Sequence, residues 1–214
     1  DLVGDTKLTV TCAESDNQEG VVKELGVYAN FAPIYGAEWS GGSETTWTRT
    51  DDAALFAEPV AALGTGRGSS PFDNILPWSG MRIVEDAVAG TLVEIPKYYY
   101  KWTYNGSKMK LQISPIQFEG SKCSHMHSDR GDGQGERDVA YVGRYPCSTN
   151  YKSETGNVLQ ASKTRAQFRT SIHALGNDIW LYDFATYWTI RNLMLVEFAD
   201  WDFNTRIGRT SIRS

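Results

Sequence analysis

No stretch of this chain approaches the roughly 20 consecutive apolar residues that a membrane-spanning helix needs. Its longest apolar run, from Phe184 to Phe198, is interrupted by Arg191 and Glu197, so membrane insertion is not expected. An excess of positive charge is also missing: 21 Lys and Arg face 26 Asp and Glu, a formal charge of −5. That balance leaves no basic field for a phosphate backbone and argues against nucleic acid as a partner. Cysteine is scarce. Cys12, Cys123 and Cys147 cannot all pair within one chain, and none lies in a CxxC arrangement. A Cys123–Cys147 bridge is one arrangement the count allows, although the spacing does not select it. Catalytic signatures are missing as well. No serine sits in GxSxG, the Gly-rich GTGRGSS lacks the GKS or GKT ending of a phosphate loop, and the neighbouring carboxylates Asp51-Asp52 and Glu85-Asp86 point in different directions. The residues give no reason to expect an enzyme.

What the chain has is aromatic mass and glycine. Seven Trp, 12% aromatic residues and 20 Gly in 214 residues describe aromatic-anchored β structure joined by irregular polar loops, long enough to bury a core. The first 34 residues read as the end of an upstream β module or a connector. Leu8, Val10 and Cys12 alternate as in a short strand, and residues 21–37, containing Pro33, keep no period. From residue 35 onward, Trp39, Trp47 and Trp78 alternate with Gly, Ser and Asp-rich pieces, and with Trp102 they are expected in the core. Thr91 to Thr103 alternates, Asn105-Gly106 is a hairpin turn signal, and Ser107 to Ser114 returns, with Lys97, Lys101, Lys108 and Lys110 on the wet face. Val139 to Tyr145 reads as a further strand.

Two helices follow. Thr164 to Leu175 is amphipathic, with Phe168, Ile172 and Leu175 on one face, Gly176 as its stop and His173 as a structural residue. The second spans about 183–199, with Asp183 as N-cap and an inward stripe of Phe184, Tyr187, Trp188, Leu193, Leu195, Val196 and Phe198. Strands followed by helices without regular βαβ alternation indicate the α+β class.

The polar segment 119–138, EGSKCSHMHSDRGDGQGERD, is expected on the surface. Its carboxylates Asp129, Asp132, Glu136 and Asp138 offer oxygen ligands of the kind that calcium takes, although the spacing of a calcium-binding helical loop is absent and Arg130 and Arg137 can neutralise the same groups. Arg130-Gly131-Asp132 spells a tripeptide read by some adhesion receptors. Cys123, His125 and His127 lie two apart and could reach one metal only from a single face of an extended strand; an ordinary loop is the simpler reading. Asp129, Arg130, Asp132, Glu136 and Asp138 are the surface-contact candidates.

In order along the chain come YGAEWSGG (35–42), TTWTRTDDAALFAEP (45–59), SSPFDNILPWSGM (69–81), GTLVEIPKYYYKW (90–102), GERDVAYVGRY (135–145) and LVEFADWD (195–202). Together these resemble phage tail and prophage proteins that carry a C-type lectin-like fold of the formylglycine-generating-enzyme type. Relatives of that group include variable proteins diversified by retroelements. The resemblance covers about residues 35–208. It implies that residues 35–214 form an antiparallel scaffold with two helices, a role in host attachment at a virion tail through a cell-surface protein or glycan, other tail proteins as partners, and a homo-oligomer, a trimer. It also implies a further C-terminal portion that reads the ligand, so this chain is expected to be the N-terminal part of such a domain. No ligand-binding residue of the family carries over. The three cysteines match no cysteine pair of the enzyme that names the fold, and a structural tail component or a bacterial surface adhesin is the alternative.

Overall fold

The computed structural model describes residues 32–61, 68–131 and 133–208. The expected strand through Leu8, Val10 and Cys12, most of the connector at 21–37, the first part of the Gly-rich stretch (64–67) and Asp132 lie outside them. The chain divides into two units at the Ala32–Pro33 junction, and every element below belongs to the second.

The class is α+β, built on antiparallel pairs. Strands β1 (Tyr35–Trp39), β2 (Thr48–Asp51), β5 (Tyr99–Asn105), β6 (Lys108–Ser114) and β7 (Lys122–Cys123) form one sheet in the order β2-β1-β6-β5-β7. Strands β3 (Arg82–Asp86), β4 (Gly90–Pro96) and β8 (Val139–Gly143) form a second in the order β3-β4-β8. Helices α1 (Arg165–His173), α2 (Phe184–Phe198) and the short α3 (Phe203–Ile207) follow. Tyr35 to Ala37, which the pattern placed at the end of a connector, are the start of β1.

The alternating run from Thr91 to Thr103 is two strands in different sheets. Pro96 has no N–H to continue a ladder, Lys97 N–H donates to the Asp138 carbonyl at 2.8 Å, and Ser124 N–H donates to the Tyr98 carbonyl at 2.9 Å. Tyr98, fully buried, plugs the corner, its hydroxyl donating to the Thr189 carbonyl of α2 at 2.7 Å. The hairpin turn also sits one residue later than expected. Asn105 pairs with Lys108, so Gly106 and Ser107 are the two loop residues, and Gly106 at φ +61° supplies the positive φ that a type II′ turn needs at its first position. Lys101, Lys108 and Lys110 share the face away from the core, as their register with Gln112, Asn105 and Thr103 requires. Lys97 lies in the corner rather than on the hairpin.

Helix α2 begins and ends where its chemistry dictates. The Asp183 carboxylate accepts from Thr186 N–H at 2.9 Å, and Ala199 closes the helix in the left-handed region at φ +48°, its N–H donating to the Leu195 carbonyl. Its inner face differs from the expected stripe. Leu193, Leu195 and Val196 are buried with Leu111, Ile113 and Ala37 of the sheet, but in the first half the buried residues are Thr186, Thr189 and Asn192, while Phe184 and Tyr187 are exposed. Two of these polar side chains are engaged: Thr189 Oγ1 accepts from Met126 N–H at 3.2 Å, and Thr186 Oγ1 donates to the Asp183 carboxylate at 2.9 Å. Helix α1 starts in a capping box between Thr164 and Gln167 and buries Ile172, with Phe168 edge-on to Tyr151.

A core of aromatic residues joins these parts. Phe72, in a short 3-10 turn (Pro71–Asn74), meets Tyr35, Phe56 and Trp78, and Trp47 meets Trp102 and Trp201. Trp47 and Trp78 are buried as expected, whereas Trp39 and Trp102 are only half-buried at its margin.

Candidate functional site

Among the described residues, strand β8 is an outer strand of its sheet, and its hydrogen-bonding parity decides what its open side offers. The bonds Lys97 N–H to Asp138 C=O and Arg144 N–H to Thr91 C=O, at 2.8 and 3.0 Å, bracket a register in which Ala140 and Val142 face Ile95 and Val93. Since bonded and non-bonded positions alternate in an antiparallel pair, Val139, Tyr141 and Gly143 turn their N–H and C=O groups to the open side. Val139 and Tyr141 are exposed.

Along that side runs a groove of about 900 Å³. It is lined without a break by residues 139–147. Side chains alternate between the two faces of a strand, so a surface touching every residue from 139 to 143 follows the strand's edge. The far wall comes from Phe168 and Ile172 of α1 and from Asp178 to Asp183. Trp180 covers His173 at 4.7 Å between ring centres yet stays 57% exposed, and Tyr182 is exposed beside it.

One serine fixes the near end. Ser153 Oγ donates to the Thr91 carbonyl at 2.6 Å and accepts from Tyr145 N–H at 2.9 Å, while its backbone bonds Thr91 and Ala89. This staples the turn after β8 to the start of β4. Gly90, at φ +89°, permits the approach: a Cβ there would lie 2.4 Å from the Ser153 carbonyl oxygen.

The groove's charge runs against that of the chain. Arg130, Arg137, Arg144 and Lys152 line it against Asp178 and Asp183, and Asp183 is engaged as the α2 cap. Arg144 lies over the Tyr145 ring at 5.3 Å.

The surface-contact candidates from the sequence do not form one cluster. Asp129 accepts from Gly131 N–H at 2.8 Å in a local turn. Arg130 reaches the groove. Glu136 and Asp138 converge on Lys97, at 3.7 and 2.8 Å, and Glu136 also accepts from the Tyr99 hydroxyl at 2.8 Å. A protein ammonium thus sits where those two carboxylates meet, and the Lys97 contact holds the Asp138 carboxyl below the usual carboxylate range. Among the described residues no three His, Cys, Asp or Glu side chains gather as a metal site requires.

The expectation that 119–138 is a surface loop fails over its middle. Ser124, Met126 and His127 are buried, because β7 adds to the sheet edge and draws the following turn inside. His127 Nε2–H donates to the Ile95 carbonyl at 2.9 Å and Nδ1 accepts from Ser124 Oγ at 2.6 Å. His125 instead stacks on Tyr100 at 5.3 Å. Cys123 and Cys147 are free thiols, not the bridge that the count allowed. Burial pushes the Cys123 thiol up to about 11, which keeps it protonated and unreactive at neutral pH.

Burial likewise lowers the His127 pKa, partly opposed by the Ile95 carbonyl. Unfolded histidine takes up a proton near pH 6.5, on the order of the reference value, before folded His127 does. The unfolded state therefore binds more protons between that pH and the folded value, and stability falls as pH drops through this window. His125, lowered by burial and Lys122, adds with the same sign. In urea titrations either side of this window, the His127→Gln variant should show a shallower loss of stability toward acid than the parent. An unchanged slope would remove His127 from the account.

The sequence did not point to the groove, because its parts come from five separated segments. The one legible signal was Trp180 and Tyr182 just ahead of the Asp183 cap, aromatic residues on the non-helical side of a helix start. A scan of protein-family models, a search of curated proteins and a search of solved structures each return no match.

Proposed function

We propose that this chain is a host-attachment module of a phage tail, a tail-fibre or tail-tip component that binds a protein or glycan on the cell surface without catalysis. In this reading the antiparallel unit is a scaffold of C-type lectin-like type, and its loops and their aromatic residues do the binding. The observation that carries the proposal is the groove beside β8, a concave surface with exposed Trp180 and Tyr182 and four cationic side chains, held in place by the sheet and by Ser153. Aromatic rings and arginine are the side chains that dominate binding energy at protein surfaces. The ordered motifs of residues 35–208 supply the connection to tails.

A second reading, a structural tail or baseplate component, is favoured by a different surface. Tyr104 and Phe184, each 67% exposed, and Tyr187 lie around the half-buried Trp102 and Trp188, a composition typical of contacts between subunits. Labelled chain should bind susceptible cells saturably and compete with virion adsorption. A stable trimer in solution with no binding to cells would favour the structural reading and end the attachment proposal.

A further inference from the structure

We infer that the open edge of β8 is a strand-addition site whose partner is an extended acidic segment of another protein. Edge strands in folded proteins are commonly blunted by a bulge, a charge directed inward or a covering element. Here β8 presents the N–H and C=O groups of Val139 and Tyr141 to a groove that follows it for its whole length. Five residues at roughly 3.4 Å each make a docking length of one short strand.

Backbone pairing supplies affinity in this mode of recognition, and pockets for alternate side chains supply selectivity. The charges choose the sign of those side chains. Arg130, Arg144 and Lys152 stand at the groove in a chain of net charge −5, so an acidic segment gains attraction there against the sign of the whole chain, and a basic one is opposed. A saccharide would use the same cations and the Trp180 ring. It would leave the outward N–H groups of β8 without the regular series of acceptors that a peptide backbone offers, and this favours the peptide.

The inference deepens the attachment reading and rests on the chain being a binding module, yet the two fail separately. The probe is a random dodecapeptide library panned against the purified full chain. Enriched peptides should be acidic at alternate positions, and in hydrogen exchange the strongest clone should slow the Val139 and Tyr141 amides. Val139→Pro removes an N–H that β4 does not use, at the first residue of an outer strand where proline is tolerated. It should weaken the selected peptide about tenfold or more, the loss of roughly one well-formed backbone bond and its strand geometry, with the thermal midpoint retained. A peptide N-methylated on the β8-facing positions should lose the same affinity against the unaltered protein, which keeps the test decisive if Val139→Pro disturbs folding. Arg144→Glu should weaken it further at low salt.

Three results would overturn the inference: no enriched sequence, enrichment that is not acidic, or affinity indifferent to N-methylation. Binding of an oligogalacturonate, with no peptide selected, would assign the groove to anionic saccharide instead. Saturable cell binding alongside any of these would leave attachment standing and end only the strand-addition site.

Discussion

Replacing Phe72 with alanine is expected to cost about 4 kcal/mol, near the middle of what truncating a buried phenylalanine costs, and to lower the thermal midpoint by roughly 10 °C for a unit of this size. The ring has no solvent exposure. It is the hub of an aromatic set in which Trp78 lies 4.5 Å away, Phe56 5.1 Å and Tyr35 6.2 Å between ring centres. Those partners arrive from β1, from the turn after β2 and from a second 3-10 turn (Trp78–Gly80), so none can follow the others to close a void. The backbone that presents Phe72 is itself specified: Ser70 Oγ accepts from Phe72 N–H at 3.2 Å and Asp73 accepts from Ser70 N–H at 2.8 Å, a capping box on a short turn. Phe72→Leu keeps most of the volume and should lose under about half as much. Calorimetry of the two variants decides the matter, and equal losses would show that edge-to-face ring geometry, rather than volume, dominates.

The parts of this fold that were legible in the sequence are those governed by neighbours along the chain. Asp183 and Ala199 bound α2 and Thr164 begins α1 because caps act within four residues. The turn near Gly106 was legible for the same reason, and its one-residue shift reflects the choice between two hairpin types that glycine serves equally. What sequence could not supply depends on which element lies opposite. Alternation over 91–103 is identical whether it makes one strand or two, and only Pro96 marked the break. The 119–138 segment is polar in composition, yet His127 is inside because Ser124 and the Ile95 carbonyl satisfy both ring nitrogens. Helical spacing put Phe184 and Tyr187 on a core face, but the first half of α2 overlies polar backbone near Met126, so threonines are inside and rings outside. The groove was the least legible feature, since an unpaired strand edge is a property of the sheet and not of β8.

Arg49 is the clearest case of a residue whose importance no local pattern announces, and Arg49→Met is expected to cost about 3 kcal/mol, near the lower end for breaking a buried charged contact. Its side chain, 6% exposed, extends from β2 to two acceptors at once. The guanidinium donates to both Glu58 oxygens at 2.8 and 3.2 Å and to the Glu197 carbonyl at 2.7 and 3.3 Å. Glu197 is the penultimate residue of α2, so this carbonyl is among the last four, which have no partner inside the helix and carry its negative pole. The neighbouring backbone joins the same place, Trp47 N–H donating to the Ala199 carbonyl and Trp201 N–H to that of Thr45, each at 2.8 Å. Methionine keeps the apolar stem but strands the helix carbonyl away from water. The carboxylate is the lesser partner: Glu58 is 63% exposed and solvates freely, so Glu58→Gln should cost about 1 kcal/mol or less. The Arg49 hydrogen bond holds the Glu58 carboxyl below its ordinary range. Its contribution is therefore complete above about pH 4.3, the unfolded value, and is lost as pH falls through the lower folded one. Denaturant titrations at neutral pH should rank Arg49→Met well below Glu58→Gln in stability, and as pH falls through the lowered range of the Glu58 carboxyl the gap between Arg49→Met and the parent should narrow. Equal losses in the two variants would mean that the ion pair, not the helix carbonyl, is what Arg49 secures.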